Sequence, residues 1–156
     1  MSKGFGRPAA SCEPAECPCG GGAYASCCRP LIVGEQLADT AQQLMRSRYS
    51  AFALGGRNPA AIEHLLRTHA EPGQSAAARR KSLRDSCHTI QWISLEVQDC
   101  QKGGLLDQDG TVRFAARWRD RNRREGVLRE CSCFGRGESG EWLYMEALSL
   151  SDIPKG

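Results

Sequence analysis

Thr111-Val112-Arg113-Phe114-Ala115-Ala116-Arg117-Trp118-Arg119 sends Val112, Phe114, Ala116 and Trp118 to one side of an extended chain and Arg113, Arg117 and Arg119 to the other. Alternation of this kind marks a strand with one buried face. The pattern continues on both sides of the stretch. Upstream, Ile90-Gln91-Trp92-Ile93-Ser94-Leu95-Glu96-Val97-Gln98 alternates in the same way, and Gly103-Gly104 and Asp109-Gly110 mark the turns between. Downstream, Val127 to Phe134 and Glu141 to Leu148 read as the third and fourth strands. Consecutive strands joined by short turns predict an antiparallel, curved sheet.

Before residue 90 the period lengthens. Asp39-Thr40 offers a helix N-cap, with Gln43 three residues after Thr40 as its capping-box partner. Ala41, Leu44, Met45, Ala51, Phe52 and Leu54 give that helix an apolar face, and Gly55-Gly56 is expected to end it. Asn58-Pro59 starts a second helix carrying Ile62, Leu65 and Leu66, which Glu71-Pro72-Gly73 breaks. A third, more charged helix is expected from Ser75 to about Ser86. Helices followed by consecutive strands define an α+β fold: about three helices packed on about four antiparallel strands. Residues 1–16 and 151–156 read as tails, with core-forming content sparse from Ser149 onward.

Cys17-Pro18-Cys19-Gly20-Gly21-Gly22-Ala23-Tyr24-Ala25-Ser26-Cys27-Cys28 holds four thiols in two close pairs. A tetrahedral cation such as Zn²⁺ takes four thiolates at about 2.3 Å. Two pairs can supply that shell if the segment between them folds back, and glycine reaches positive φ without steric cost. The competing reading is a cluster of reduced thiols or local disulfides; the metal knuckle, residues 17–30, is the expectation adopted. Iron suits the same four-thiolate shell. Cys12 reads as a bystander, Cys87 and Cys100 are too distant in sequence to assign, and Cys131 and Cys133 share one strand face but supply only two ligands.

Composition is that of an ordinary globular chain, 40% hydrophobic and 25% charged in 156 residues. The formal charge of +3 falls by two when four thiolates and a divalent ion are counted, so the total does not indicate a nucleic-acid binder, and sequence-specific DNA recognition is not expected. No apolar run is long enough to span a membrane, and Met1 to Pro8 lacks the apolar core of a signal peptide. A cytoplasmic protein with reduced cysteines is therefore expected.

The cysteine stretch resembles the SEC-C metal-binding motif, which reads Cys-x-Cys, a glycine-rich turn, Tyr, then Cys followed by Cys or His. The matching residues are Cys17, Cys19, Gly20 to Gly22, Tyr24, Cys27 and Cys28; the interval between the pairs is seven residues here and eight in the usual motif. That resemblance implies zinc. Further on, Leu44-Met45-Arg46-Ser47-Arg48-Tyr49-Ser50-Ala51-Phe52 closely resembles the signature of the YchJ-like family. Supporting matches are Trp92, Val112-x-Phe114-x-Ala116, Leu128-x-Glu130 and Trp142-x-Tyr144. The resemblance implies that residues 31–150 form a nuclear-transport-factor-two-like (SnoaL-like) cone, in which helices and a curved sheet enclose a cavity. Relatives tend to carry His-Glu-Arg-Ser-Arg-Phe where this chain has Arg129-Glu130-Cys131-Ser132-Cys133-Phe134, and the second, C-terminal knuckle of some relatives is absent here.

Such a cavity has Arg46, Tyr49, Trp118 and Glu130 as its polar and aromatic candidates, Arg46 as a carboxylate or phosphate fork and Glu130 as a base. The plainer expectation is an Arg46–Glu130 ion pair closing helix against sheet, with Trp118 in the core. His64, His69 and His88 fit no catalytic pattern and are expected at the surface. Arg117, Arg119, Arg121 and Arg123 would form a basic ridge if the strand continued, a contact surface for RNA phosphates or an acidic protein, or else a solvated edge. The expected function is a zinc-binding adaptor that meets a protein or ribonucleoprotein partner through its knuckle. The alternative is a small-molecule binder or enzyme using the cone cavity.

Overall fold

The structure, a computed structural model, describes residues 13–70 and 73–154. Cys12 and the rest of the expected N-terminal tail up to it lie outside the described residues. From Glu13 onward the chain is already engaged. Glu13 pairs with Arg29 at 2.7 Å, Tyr24 N–H donates to Ala15 O, and Glu16 bridges Ala23.

Among the described residues four α-helices precede the sheet: α1 (Arg29–Ile32), α2 (Ala41–Leu54), α3 (Pro59–Arg67) and α4 (Ala76–Thr89). The first is one turn long and was not expected, because four residues carry no readable period. Thr40 Oγ1 accepts from Gln43 N–H as the cap of α2, but Gln43 reaches back to Asp39 N–H, one residue before the expected partner. Asn58 and Ser75 cap α3 and α4 through their side-chain oxygens. Gly55 ends α2 with helical φ (−61°), not with the left-handed turn its position suggests. Its role is space: a Cβ there would stand 2.4 Å from Cys87 Sγ and 3.0 Å from Ile62 Cδ1.

Strands β1 (Ile90–Lys102), β2 (Asp109–Asp120), β3 (Glu125–Arg136) and β4 (Trp142–Pro154) form an antiparallel meander in sequence order. Each strand outruns its expected C-terminal end, since pairing with a neighbour holds polar residues that no apolar alternation marks. β4 in particular continues to Pro154, past the expected end at Leu148. Register shifts interrupt β1 at Trp92/Ser94 and at Val97/Asp99, so the simple alternation expected for that strand fails. Trp92, Leu95 and Val97 are part-buried, whereas Ile93 is exposed. Two further shifts fall between β3 and β4. Bulges of this kind bend and twist a strand, and they give this sheet a concave side.

Helix α2 is the hub. It packs against α1, α3 and α4 and against three of the four strands. Its buried residues, Ala41, Leu44, Met45, Ser47, Arg48, Tyr49, Ser50, Ala51 and Leu54, face more than one neighbour. One hydrophobic cluster runs from Cys17, Cys19, Tyr24 and Cys28 through Ile32 and Leu44 to Phe114, Phe134 and Trp142. The cysteine segment is part of that core.

Candidate metal centre

The glycine turn brings the thiols together. Cys17 N–H donates to Gly22 O at 2.7 Å and Gly20 N–H to Cys17 O at 2.9 Å, closing a tight loop. Gly20 and Gly22 have φ of +83° and +118°, the left-handed region that favours glycine. Gly21 is needed for a different reason: a Cβ there would lie 2.8 Å from Cys27 Sγ and 3.1 Å from Cys19 Sγ. A 3₁₀ turn, Tyr24–Ser26, then delivers Cys27 and Cys28, and Cys28 O accepts the first bond of α1.

The four Sγ atoms lie within 4.8 Å of one another. Cys19–Cys27 is 3.5 Å, Cys19–Cys28 is 3.6 Å and Cys27–Cys28 is 4.0 Å. Four sulfurs at about 2.3 Å from a tetrahedral ion stand roughly 3.8 Å apart, so these separations fit a four-thiolate shell. Three of the thiols are buried and Cys27 is half-buried. Hydrogen bonds from Cys19 and Cys28 pull the Cys17 thiol down, whereas burial pushes Cys27 up to about 12, and the bond to Cys17 raises Cys28. One thiolate is welcome in this cluster; four need a cation among them.

Outer partners steady the shell. Ser50 Oγ lies 3.4 Å from Cys17 Sγ, and Arg46 Nη1 donates to Cys19 O at 3.0 Å. Arg67 Nη2 donates to both Leu31 O and Ile32 O at 2.8 Å, tying α1 to α3. Arg67 also contacts His64 Nδ1 at 3.1 Å, and His64 Nε2–H donates to Ser47 Oγ at 2.8 Å. Ser47 in turn donates to Leu44 O. His64 is therefore buried and neutral, held down at about 3 chiefly by burial, which corrects its expected surface position.

The expected Arg46–Glu130 pair does not form. Arg46 faces the cysteines, with Nε on Gln42 Oε1, while Glu130 accepts from Tyr144 O–H at 3.3 Å and from Ser132 O–H. The arginine that enters the cavity is Arg48, two residues on. Helical spacing marks it: Ala41, Leu44, Met45, Arg48 and Phe52 recur at three- and four-residue steps, and Arg46 falls off that stripe. Tyr49 does line the cavity, edge-on to Trp92 at 6.0 Å. Trp118 does not. It lies over Gly126, and its Nε1–H donates to Asp152 Oδ1 at 2.7 Å.

The basic ridge is broken as well. β2 ends at Asp120, Arg121 and Arg123 sit in the following turn, and Arg123 has φ +62°. Arg117 and Arg119 converge on Glu125 at 3.9 and 3.1 Å, and Arg121 Nε–H donates to His88 O. Cys87 packs on Gly55, Cys100 accepts from Gln42 Nε2, and Cys131 and Cys133 stay on β3; among the described residues none joins the cluster. No helix among the described residues is long and apolar enough to cross a membrane.

A folded-back cysteine quartet set into an α+β core of helices on a curved antiparallel sheet defines a SEC-C-type protein with a nuclear-transport-factor-two-like domain. The sequence matches the family described as YchJ, middle NTF2-like domain, over residues 40–147. The chain belongs to that family. It is 41% identical over 135 residues to a UPF0225 protein of Chromobacterium violaceum, covering 86% of this chain and 93% of the relative. A UPF0225 protein of Geobacter sulfurreducens is 39% identical over 105 residues, covering 67% and 62%. The solution structure of a SEC-C motif containing protein from Rhodopseudomonas palustris superposes with a TM-score of 0.69 at 28% identity, covering 87% of this chain and 99% of that one.

Proposed function

We propose that the chain is a zinc-binding adaptor whose knuckle is structural and presents a surface to a protein partner, free or within a ribonucleoprotein. The observation that carries this reading is the sulfur quartet: mutual separations of 3.5, 3.6 and 4.0 Å suit a closed tetrahedral shell. Four protein thiolates leave no position for a substrate, which is the arrangement of structural zinc. Iron is the competing ion for the same donors. The rim of the knuckle, Gly20 to Ala23 with Ala25 and Ser26, is exposed and uncharged, as a contact surface needs. The likeness to the Rhodopseudomonas SEC-C motif containing protein supports the metal-knuckle half of the reading. Reduced thiols fit a cytoplasmic setting.

Two measurements test it. Metal analysis of protein purified without affinity-resin metals should return one zinc per chain; metal-free protein with reduced thiols and an ordered knuckle would overturn the reading. Partner capture should then compare the wild type with Ala25→Arg, which alters the rim, and with the Cys27→Ser/Cys28→Ser double variant. Loss of the same partner from both supports the knuckle as the contact. Identical partners on folded variants would reject it.

A further inference from the structure

A cavity of about 510 Å³ opens between α2, α4 and the concave face of the sheet, and the adaptor reading makes no use of it. Its volume lies in the range of small-molecule sites. The walls are largely apolar, with Tyr49, Phe52, Trp92, Phe114 and Phe134 among them. Arg48 projects into this space with only 9% of its surface exposed. Its Nη1 is spent on Leu65 O at 3.0 Å and Thr68 Oγ1 at 2.7 Å, and its guanidinium lies over the Tyr144 ring at 4.9 Å. The Nε and Nη2 edge makes no hydrogen bond among the described residues, and no carboxylate there lies within ion-pair distance of Arg48.

Among the described residues the charges inside do not balance. Glu130 is the lining carboxylate, and it is engaged by Tyr144 and Ser132. Arg79, near the mouth, spends itself on His69 Nδ1 at 3.1 Å and Leu66 O at 3.4 Å, again without a carboxylate among the described residues. His69 accepts on Nδ1 and is neutral, so it contributes no charge. Among the described residues, two guanidiniums face one carboxylate in a chamber of aromatic rings, a surplus of one positive charge where burial makes an unpaired charge costly.

We infer that this cavity binds a small organic monoanion, a carboxylate on an aromatic or aliphatic body, with the carboxylate on the unspent edge of Arg48 and the body against Tyr49, Trp92 and Phe114. One negative charge closes the balance, whereas a phosphate dianion would overshoot it beside Glu130. The planar guanidinium edge matches a planar carboxylate through two parallel hydrogen bonds. The apolar walls demand a body that gains from leaving water. This binding is independent of the knuckle and stands or falls without the adaptor reading.

The test uses the full chain as purified, with 3-phenylpropanoate and its neutral amide, 3-phenylpropanamide, as probes. Calorimetric titration should show the acid binding at least about tenfold tighter than the amide. In ¹H–¹⁵N spectra the Trp92 indole resonance should move while that of Trp142, bonded to Asp39 O outside the cavity, stays in place. Arg48→Met, checked for folding, should bring the acid down to the level of the amide. Arg79→Gln on the rim should weaken the acid several-fold, and Glu130→Gln should strengthen it; both keep the test open if Arg48→Met fails to fold. Equal binding of acid and amide, no binding of either up to about 10 mM, a retained preference in folded Arg48→Met, or an acid affinity unchanged in both other variants would overturn the proposal.

Discussion

Gly21 matters through the atom it lacks, since any side chain there would press on two of the four sulfurs. Gly21→Ala should therefore weaken metal binding by about tenfold or more, comparable to the loss of an outer-shell contact, measured by competition with a colorimetric chelator. Arg46 and Arg48 show how far single residues were legible. The cysteine quartet could be read from spacing because here all four donors fall in one short segment as two close pairs, a recognisable ligand pattern. The cavity's charged residue could not be picked by proximity in a motif, since one arginine of the Arg-Ser-Arg run faces the sulfurs and the other faces the cavity, and only the helical stripe separates them. Tyr144 on β4 reaches diagonally to Glu130 on β3, past its own register partner Phe134, a contact that no local pattern encodes. His64 carries a pH signature. Its folded pKa sits near 3, below its ordinary 6.5, so the unfolded chain takes up a proton first as pH falls. Its contribution to stability is full above pH 6.5 and declines by about 1.4 kcal/mol per pH unit below that until the folded group titrates. Urea unfolding of wild type against His64→Gln, followed from pH 7 to pH 5, should show the steeper decline in the wild type.

At the scale of elements, α2 and α4 are built differently. α2 is buried on several sides, whereas α4 has no buried residue and meets the rest through part-buried Arg79, Arg80, Leu83 and Cys87. Helices without an apolar face lean on their caps and on propensity. Ser75→Ala, which removes the Oγ acceptor for Ala78 N–H, should cost about 1 kcal/mol and should speed amide exchange across Ala76–Thr89 well before it changes exchange in α2. Hydrogen-exchange mass spectrometry reads both. The helices α2 and α3 were legible from caps and apolar spacing. The strand ends were not, because Gln101, Lys102, Ser151 and Asp152 are held by pairing across the sheet, which polar composition hides.

Across the whole molecule, the cysteine quartet and the sheet share one core. Tyr24, Cys19 and Cys28 are among its buried members together with Leu44, Phe134 and Trp142. Binding that occurs only in the folded state adds its free energy to folding. Chelation should accordingly lower the midpoint of the entire thermal transition, by far-ultraviolet and near-ultraviolet dichroism alike, instead of melting the knuckle alone. Helix α2 serves as a party wall: Ser50 and Arg46 look onto the sulfurs, and Met45, Arg48 and Tyr49 onto the hollow behind. An excised piece holding only residues 40–147 would keep that wall with one room demolished. Ser50 would lose Cys17, Arg46 the Cys19 carbonyl and Arg67 the carbonyls of Leu31 and Ile32, so the span that defines the family is not, in this chain, a self-sufficient lodging.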